Sequence, residues 1–522
     1  MNAEARTQKI TKHLLSALMF AVLFALLLGA NMQKSLDHDE HQFIAGGALL
    51  AQKGLLPYKD YAYFHMPYLA FAYAAIFKIT AYRLLAARVF STACAWLMLI
   101  AILLLAWRLF RGRHLLLRSL LSLGSAGLIL TNPLFVYTSG KAWNHDATVL
   151  LILLAFLASG RSVKQNGCPK WLFLSGLLLG LATGVRLSAA PLALPFLLMT
   201  LWPAPKPRSG TLRRPMTFGL GLLVGLLPAA FLFVLAPRQF LFGNLGYPHY
   251  NTLYRQQVGF VAGDVSVIAM SIGGKLRYLA RYVFSSPGNL LLLLAFVFFA
   301  LYMPLTDLHR PGPYRFELTL SLLLIPFLLI GSFAPTPAFF QYFYALVPFA
   351  LLSILYAMAD LRERKAKQNW SLALWVLILT LSCAYGIKAY ESIHTLFTPD
   401  DWLPMQVHRS GREIAEMVGA EPVLTLSPIF PLEGQVDIYP EFATGVFAWR
   451  VAPLVPYDTR REMGIISPTE LTDLLASKPP GGILVGDEGG LEQPFVDYAE
   501  QNGYEARPLD DGHTLWVAPL QR

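Results

Sequence analysis

Long apolar runs recur almost to residue 390, broken by short clusters of Lys and Arg, and they constrain this chain more than any other feature. In hydrocarbon a run of about 20 apolar residues can satisfy its backbone only as a helix, which closes its own hydrogen bonds. Composition agrees: 55% of residues are hydrophobic and 14% charged, whereas soluble domains carry about a quarter as charges. The chain reads as a polytopic α-helical membrane protein. Its first run, 14–31, is expected to be a retained signal anchor, because no clear small-residue cleavage site follows and the apolar pattern continues.

Lys and Arg in short loops favour the cytoplasmic side. The basic stretches 1–13 (Arg6, Lys9, Lys12), 108–118, 161–170, 204–215, 306–315 and 362–367 all fall on one side if eleven spans are drawn. These lie near 14–31, 83–107, 119–137, 147–159, 171–185, 188–203, 217–235, 287–305, 319–333, 340–358 and 371–390. The N-terminus is then cytoplasmic and the tail after 390 extracytoplasmic. Segment 66–79 is apolar but short, and counting it as a span would expose the 108–118 cluster on the wrong side. It is expected to lie at the interface or to re-enter the bilayer.

Charge divides the same way. Residues 1–390 carry a net +23 and residues 391–522 a net −13, so the overall +10 gives no reason to expect nucleic acid as a partner. The tail has β-like runs at 422–427 and 483–486 and helix-like segments at 404–418 and 491–502. It is expected to form a small α/β domain. Its Gly pairs in 481–490 lack a dinucleotide-binding pattern and read as turns. Cys94, Cys168 and Cys383 are too scattered for a disulfide framework or zinc site.

The threading puts Asp37, Asp39, Glu40, Asp60, Asp146 and Asp264 outside, and three of them crowd the exit of the first run, in 35-SLDHDEHQFIAGG-47. Local structure explains part of this: Ser35 or Asp37 can cap the next helix, with Glu40 completing a capping box. Two caps do not require the adjacent pair Asp39-Glu40. Charges at a hydrocarbon boundary point to function unless solvated or paired. His38 and His41 beside Asp37 and Asp39 imitate a metal cluster, but no recognisable zinc spacing is present.

The order Asp39-Glu40, the small-residue helix 44-IAGGALLAQKG-54, then 54-GLLPYKDYAYFHMPYL-69 and 83-RLLAARVFS-91 resembles the GT-C superfamily of membrane glycosyltransferases. The resemblance is closest to the bacterial group related to protein mannosyltransferases and lipid A aminoarabinose transferases. It covers the first 110 residues, and beyond them rests mainly on span pattern. It implies a GT-C-like transmembrane catalytic domain over 1–390, with a first extracytoplasmic loop at 32–82, followed by an extracytoplasmic α/β domain at 391–522. It also implies a bacterial inner-membrane enzyme that moves a sugar, with inversion, from a polyprenyl-phosphate-linked donor to a glycan, glycolipid or protein acceptor. Asp39 matches the family's acidic position and would be the general base or hold the acceptor hydroxyl; Glu40 is its neighbour. Some relatives use a divalent cation, and the sequence leaves that open.

One-step inversion needs a base on the acceptor side and cations, or a metal, near the leaving phosphate. Arg88 stands where the resembled family has an arginine, for the donor or for an ion pair to the external loop. Arg186 sits between two short apolar segments near the outer face, where an isolated arginine needs a partner. Lys141, Arg238 and Arg255 are further external cations that ordinary headgroup contacts explain equally well. Asp60 and His65 precede Pro67 in the aromatic loop and are expected to line the site. Asp146, in 144-NHD-146, either caps a helix or faces the cleft. Tyr247 and His249 could hydrogen-bond or stack on a sugar, and Gln341 matches the family's aromatic-rich late span. A secondary transporter, a noncatalytic scaffold and a ligase of preassembled glycans are the competing readings. The transporter would call for an internal repeat, which the sequence does not display.

Overall fold

The computed structural model describes residues 3–203, 212–257, 269–302, 312–361 and 368–519. Asp264 and the basic stretches 204–211, 306–311 and 362–367 lie outside the described residues. The first ten α-helices are α1 (Ala3–Met32), α2 (His38–Lys53), α3 (Tyr68–Phe77), α4 (Arg83–Leu109), α5 (Leu115–Leu130), α6 (Pro133–Thr138), α7 (His145–Lys164), α8 (Pro169–Val185), α9 (Ala193–Thr200) and α10 (Arg213–Leu235).

Among the described residues six helices are long and apolar enough to cross a membrane: α4, α7, α10, Arg315–Phe333, Phe340–Asp360 and Trp370–Glu391. A seventh candidate is the pair Ile272–Val283 and Pro287–Tyr302, bent by 109°. The remaining expected spans coincide with shorter apolar helices at Ala17–Met32, Leu115–Leu130, Pro169–Val185 and Leu187–Thr200. Two expected spans change shape. The one drawn at 119–137 is cut after Leu130, where Asn132 accepts from the Leu134 amide at 3.0 Å and Pro133 starts a new short helix; proline has no N–H to continue the preceding one. The one drawn at 147–159 runs from His145 to Lys164.

Segment 66–79 contains α3, ten residues long and so only about 15 Å in length. It packs on α2 so closely that a Cβ on Gly47 would stand 2.6 Å from Tyr73 Cβ. Helices α8 and α10 approach through paired glycines four residues apart. A Cβ on Gly176 would lie 2.0 Å from the Phe218 carbonyl oxygen, and one on Gly221 would lie 2.1 Å from that of Phe173. Small residues at this spacing let membrane helices meet backbone to backbone.

The tail carries a four-stranded sheet in the order β1-β2-β4-β3, with β1 Val423–Thr425, β2 Gly482–Val485, β3 Glu505–Pro508 and β4 Thr514–Val517. The pair β1-β2 is parallel and the other two antiparallel. Helices Leu403–Val418 and Gln493–Gln501 fall on the helix-like segments. The tail does not stand apart from the segment that follows α1. Phe43, Ile44 and Tyr73 share one apolar core with Val407, Ile414 and Leu432, while Ala62, Phe64 and Tyr247 share another with Phe442, Trp449 and Phe495. Lys53–Asp437 at 2.7 Å and the Tyr82–His408 ring stack at 4.1 Å add polar and aromatic contacts. The α2–α3 unit is thereby clamped between the helical bundle and the tail.

Candidate active site

The N-terminal end of α2 sorts its three carboxylates into three environments. Asp37 is the N-cap: its Oδ1 accepts from the Asp39 amide at 3.2 Å, and the Glu40 side chain accepts from the Asp37 amide at 3.0 Å. Asp37 Oδ2 also meets Lys141 Nζ at 3.0 Å. Burial raises the Asp37 pKa, helped by the Asp39 charge and opposed by Lys141.

Glu40 is fully buried. Arg88 donates to it through Nε at 2.9 Å and Nη2 at 2.7 Å, and the Ala142 amide donates at 2.6 Å. With the Asp37 amide, both of its oxygens are fully engaged. Burial alone would raise the Glu40 pKa, but Arg88 and these donors hold it below the ordinary value. Arg88 also donates to the Lys34 and Ser35 carbonyls, at 2.7 and 3.2 Å. Glu40 and Arg88 thus tie the turn between α1 and α2 to α4, and neither presents its charge to a cleft.

Asp39 stands between these two acids in sequence and unlike both in contacts. Its carboxylate is partly exposed, and its ion-pair neighbour is His65 Nε2 at 3.8 Å, beyond hydrogen-bond length. His65 is itself backed by the Phe43 ring at 4.9 Å. Burial pushes the Asp39 pKa up; His65, Arg186 and His38 together outweigh it and hold the carboxyl below the ordinary value.

Arg186 follows α8 in an extended conformation. It donates to Asn144 Oδ1 at 2.9 Å, to the His145 ring at 2.8 Å and to Ser188 Oγ at 2.9 Å, and lies 4.9 Å over the Tyr342 ring. All of these partners lack a negative charge. Among the described residues no carboxylate comes within ion-pairing distance of it. His145, Thr148, Arg186, Ser188, Ser332 and Tyr342 line a narrow cleft of about 30 Å³. Asn144, His145, Ser188 and Tyr342 were not expected from sequence. The first two sit in the triplet 144-NHD-146, where the charged Asp146 drew attention from its neighbours.

The other expected residues divide. Asp146 is buried, accepting from the Gly140 amide at 2.7 Å and the Tyr344 hydroxyl at 3.0 Å. Asp60 caps its own turn, accepting from the Leu56 amide at 2.7 Å. Arg238 pairs with Glu462 at 3.0 Å on the surface. Tyr247 is buried, with its ring flat on Phe64 at 4.0 Å, whereas His249 is exposed beside Tyr250. Gln341 is buried in the short turn Phe340–Phe343, and Arg255 is half-buried on helix Tyr247–Gln257. His38 pairs with Glu488 at 2.8 Å. Among the described residues no three His, Cys, Asp or Glu side chains converge as metal ligands. The structure therefore sets Asp39 beside His65, with the Arg186 and Asp39 charges acting on each other and the Asp39 charge reaching Tyr247; it engages Glu40, Arg88, Asp60 and Asp146 elsewhere.

Residues 64–233 match the sequence model of a family described as dolichyl-phosphate-mannose-protein mannosyltransferase. No curated protein matches the chain. Among solved structures, ArnT from Cupriavidus metallidurans bound to undecaprenyl phosphate is similar with a TM-score of 0.61 at 12% identity, over 97% of this chain and 98% of that one. The same enzyme in the apo state gives 0.53 at 13% identity, over 99% and 100%. The chain shares the fold of these ArnT structures, a multi-pass helical architecture with a small C-terminal sheet. The chain resembles GT-C glycosyltransferases of the ArnT and protein mannosyltransferase group.

Proposed function

We propose that the protein is an inverting glycosyltransferase of the bacterial inner membrane. It takes a sugar from a polyprenyl-phosphate-linked donor and passes it to an acceptor hydroxyl on the extracytoplasmic face. One observation carries the reading: a partly exposed carboxylate, Asp39, lies within electrostatic reach of a cation, Arg186, whose hydrogen-bond partners are all uncharged. An arginine held only by neutral groups is a prepared anion site, and the similarity to ArnT bound to undecaprenyl phosphate supports a lipid-borne phosphate as that anion.

In this reading the acceptor oxygen forms the new bond to the anomeric carbon as the bond from that carbon to the phosphate oxygen breaks. The acceptor proton passes to Asp39, and the electron pair leaves with the polyprenyl phosphate, whose growing charge Arg186 and the His145 and Tyr342 side chains receive. His65 orients Asp39. Glu40 and Arg88 hold the helix end in place. The transmembrane part, 1–390, houses the reaction, and the tail, 391–522, closes it from the extracytoplasmic side.

The test is transfer of radiolabelled sugar in membranes of a producing strain, given a panel of polyprenyl-phosphate sugars, with Asp39→Asn and Glu40→Gln compared at matched protein levels. Label lost with Asp39→Asn identifies the donor and the base. Full incorporation by Asp39→Asn removes Asp39 from the chemistry.

A further inference from the structure

A second cavity opens where the tail meets the N-terminal end of α4. It measures about 530 Å³ and is walled by Tyr82, just before α4, by His408, Arg412 and Glu416 on helix Leu403–Val418, and by Glu433 and Gln435. None of these residues lines the Arg186 cleft. The volume falls in the range of about 300–1,000 Å³ usual for small-ligand sites.

The walls are held from both sides of the junction. Glu433 is 1% exposed; one of its oxygens accepts from the Leu84 amide of α4, and the other meets His408 Nδ1 at 2.8 Å. The His408 ring is stacked at 4.1 Å on that of Tyr82, which is itself 41% exposed. Arg83, next to Tyr82, is buried with its Nη1 unmet and feels the Glu433 charge. Arg412 and Glu416 stand four residues apart on one helix face, the spacing at which opposite charges pair, although arginine before glutamate is the weaker order. Both are exposed, and among the described residues neither closes an ion pair. The junction thus gathers two charges of each sign, and the two on the tail helix are free to meet a ligand.

Helix α4 fixes the depth of the cavity in the membrane. Its 27 residues make it about 40 Å long, which matches a bilayer measured through its headgroup layers, about 40–45 Å, rather than the hydrocarbon alone, about 30 Å. The first turn of α4 therefore stands at headgroup level. Ile79, three residues before Tyr82, is 86% exposed and adds apolar surface beside it.

We infer that this cavity binds the headgroup of a zwitterionic phospholipid that carries a primary ammonium, and that the bound lipid braces the tail against α4. Arg412 takes the phosphate, Glu416 and Glu433 face the ammonium, and Ile79 lies along the start of the acyl chains. A primary ammonium brings three N–H donors for the carboxylates, and the Tyr82 ring can attract the same cation. An anionic headgroup would satisfy Arg412 and leave both carboxylates facing a like charge. The inference stands apart from sugar transfer, because no residue of the proposed reaction enters it.

The experiment titrates the full-length protein, in non-ionic detergent, with dioctanoyl phosphatidylethanolamine. The comparison ligands are dioctanoyl phosphatidylglycerol, chainless glycerophosphoethanolamine and lactose. Wild type, Arg412→Gln and Glu416→Gln are compared, with thermal unfolding as the folding control; both substitutions fall at exposed positions. Wild type should bind phosphatidylethanolamine about tenfold more tightly than phosphatidylglycerol, and each substitution should weaken phosphatidylethanolamine binding by about tenfold, the loss of one charge-assisted contact. Saturating phosphatidylethanolamine should raise the unfolding temperature of wild type more than that of either variant. Unchanged binding in either folded variant overturns the proposal, as does phosphatidylglycerol binding as tightly as phosphatidylethanolamine. Displacement of the lipid by lactose would mark a sugar site, and glycerophosphoethanolamine binding as tightly as the lipid would mark a site for a soluble phosphoester; either result overturns the assignment to a membrane lipid. Because binding is read without transfer, failure of the enzymatic reading would leave these outcomes unchanged.

Discussion

Glu40 and Asp39 are adjacent acids, each near an arginine, and they use those arginines in opposite ways. Glu40 meets Arg88 in a dry, fully engaged pair; Asp39 feels the Arg186 charge without a hydrogen bond to it, and Arg186 is hydrogen-bonded to neutral groups. A closed pair spends its charge on geometry. An open one leaves its charge unspent. One helical step at the start of α2 separates them, because successive residues on a helix point about 100° apart: Glu40 faces α4, and Asp39 faces His65.

The sharpest way to break this comparison is to neutralise the open acid. Asp39→Asn should lower transfer by about 10²–10⁴-fold while thermal unfolding stays near wild type; a large loss of stability instead would mean that Asp39 is as structural as Glu40. Next comes the closed pair. Arg88→Met leaves Glu40 buried and unpaired, which should cost about 3–5 kcal/mol and appear as a strong drop in unfolding temperature; a folded variant with a raised donor KM alone would return Arg88 to the donor site. Arg186→Gln should reduce kcat by about 10²-fold, with little change in unfolding temperature because its present partners are neutral.

The smallest effect concerns how the tail seats beside α2. His513 lies between Asp487 at 3.2 Å and Asp511 at 2.9 Å; although burial opposes it, these carboxylates raise its pKa to about 10. A histidine whose folded pKa lies above its unfolded value of about 6.5 stabilises fully below that value and loses the contribution as pH rises through the folded pKa. The unfolding-temperature gap between wild type and His513→Gln should therefore narrow from pH 6.5 to 10. His41, pushed down to about 4 by burial, acts in the other direction, weakening the fold as pH falls from about 6.5 toward 4. A gap that stays constant from pH 6.5 to 10 would show that His513 is neutral in the fold.

Much of the architecture was legible because its causes are local. Hydropathy and length mark helices, and short runs of β-formers marked β1 and β2. The capping box at Asp37 and Glu40 also followed from spacing alone. Asn132-Pro133 could have been read as a break, but a long apolar run masked it. In the site, charge was a poor guide: Asp60, Asp146 and Glu40 attracted notice as acids, yet each is taken up by nearby amides, a tyrosine or an arginine. His145 and Tyr342 escaped notice because an isolated histidine or tyrosine in an aromatic-rich chain carries no pattern of its own.

By itself the sequence determined a membrane-embedded helical bundle, a polar exit after the first apolar run and a compact acidic tail, since hydrophobic burial and backbone hydrogen bonding depend on composition and periodicity over tens of residues. Only the tertiary structure decided which charge meets which. Arg88 finds Glu40 48 positions away, Arg186 finds Asn144 at a separation of 42, and Arg450 reaches Tyr247 across 203. Coulomb and hydrogen-bond energies depend on separations in space of a few ångströms, and no local pattern encodes those once the chain has folded back on itself.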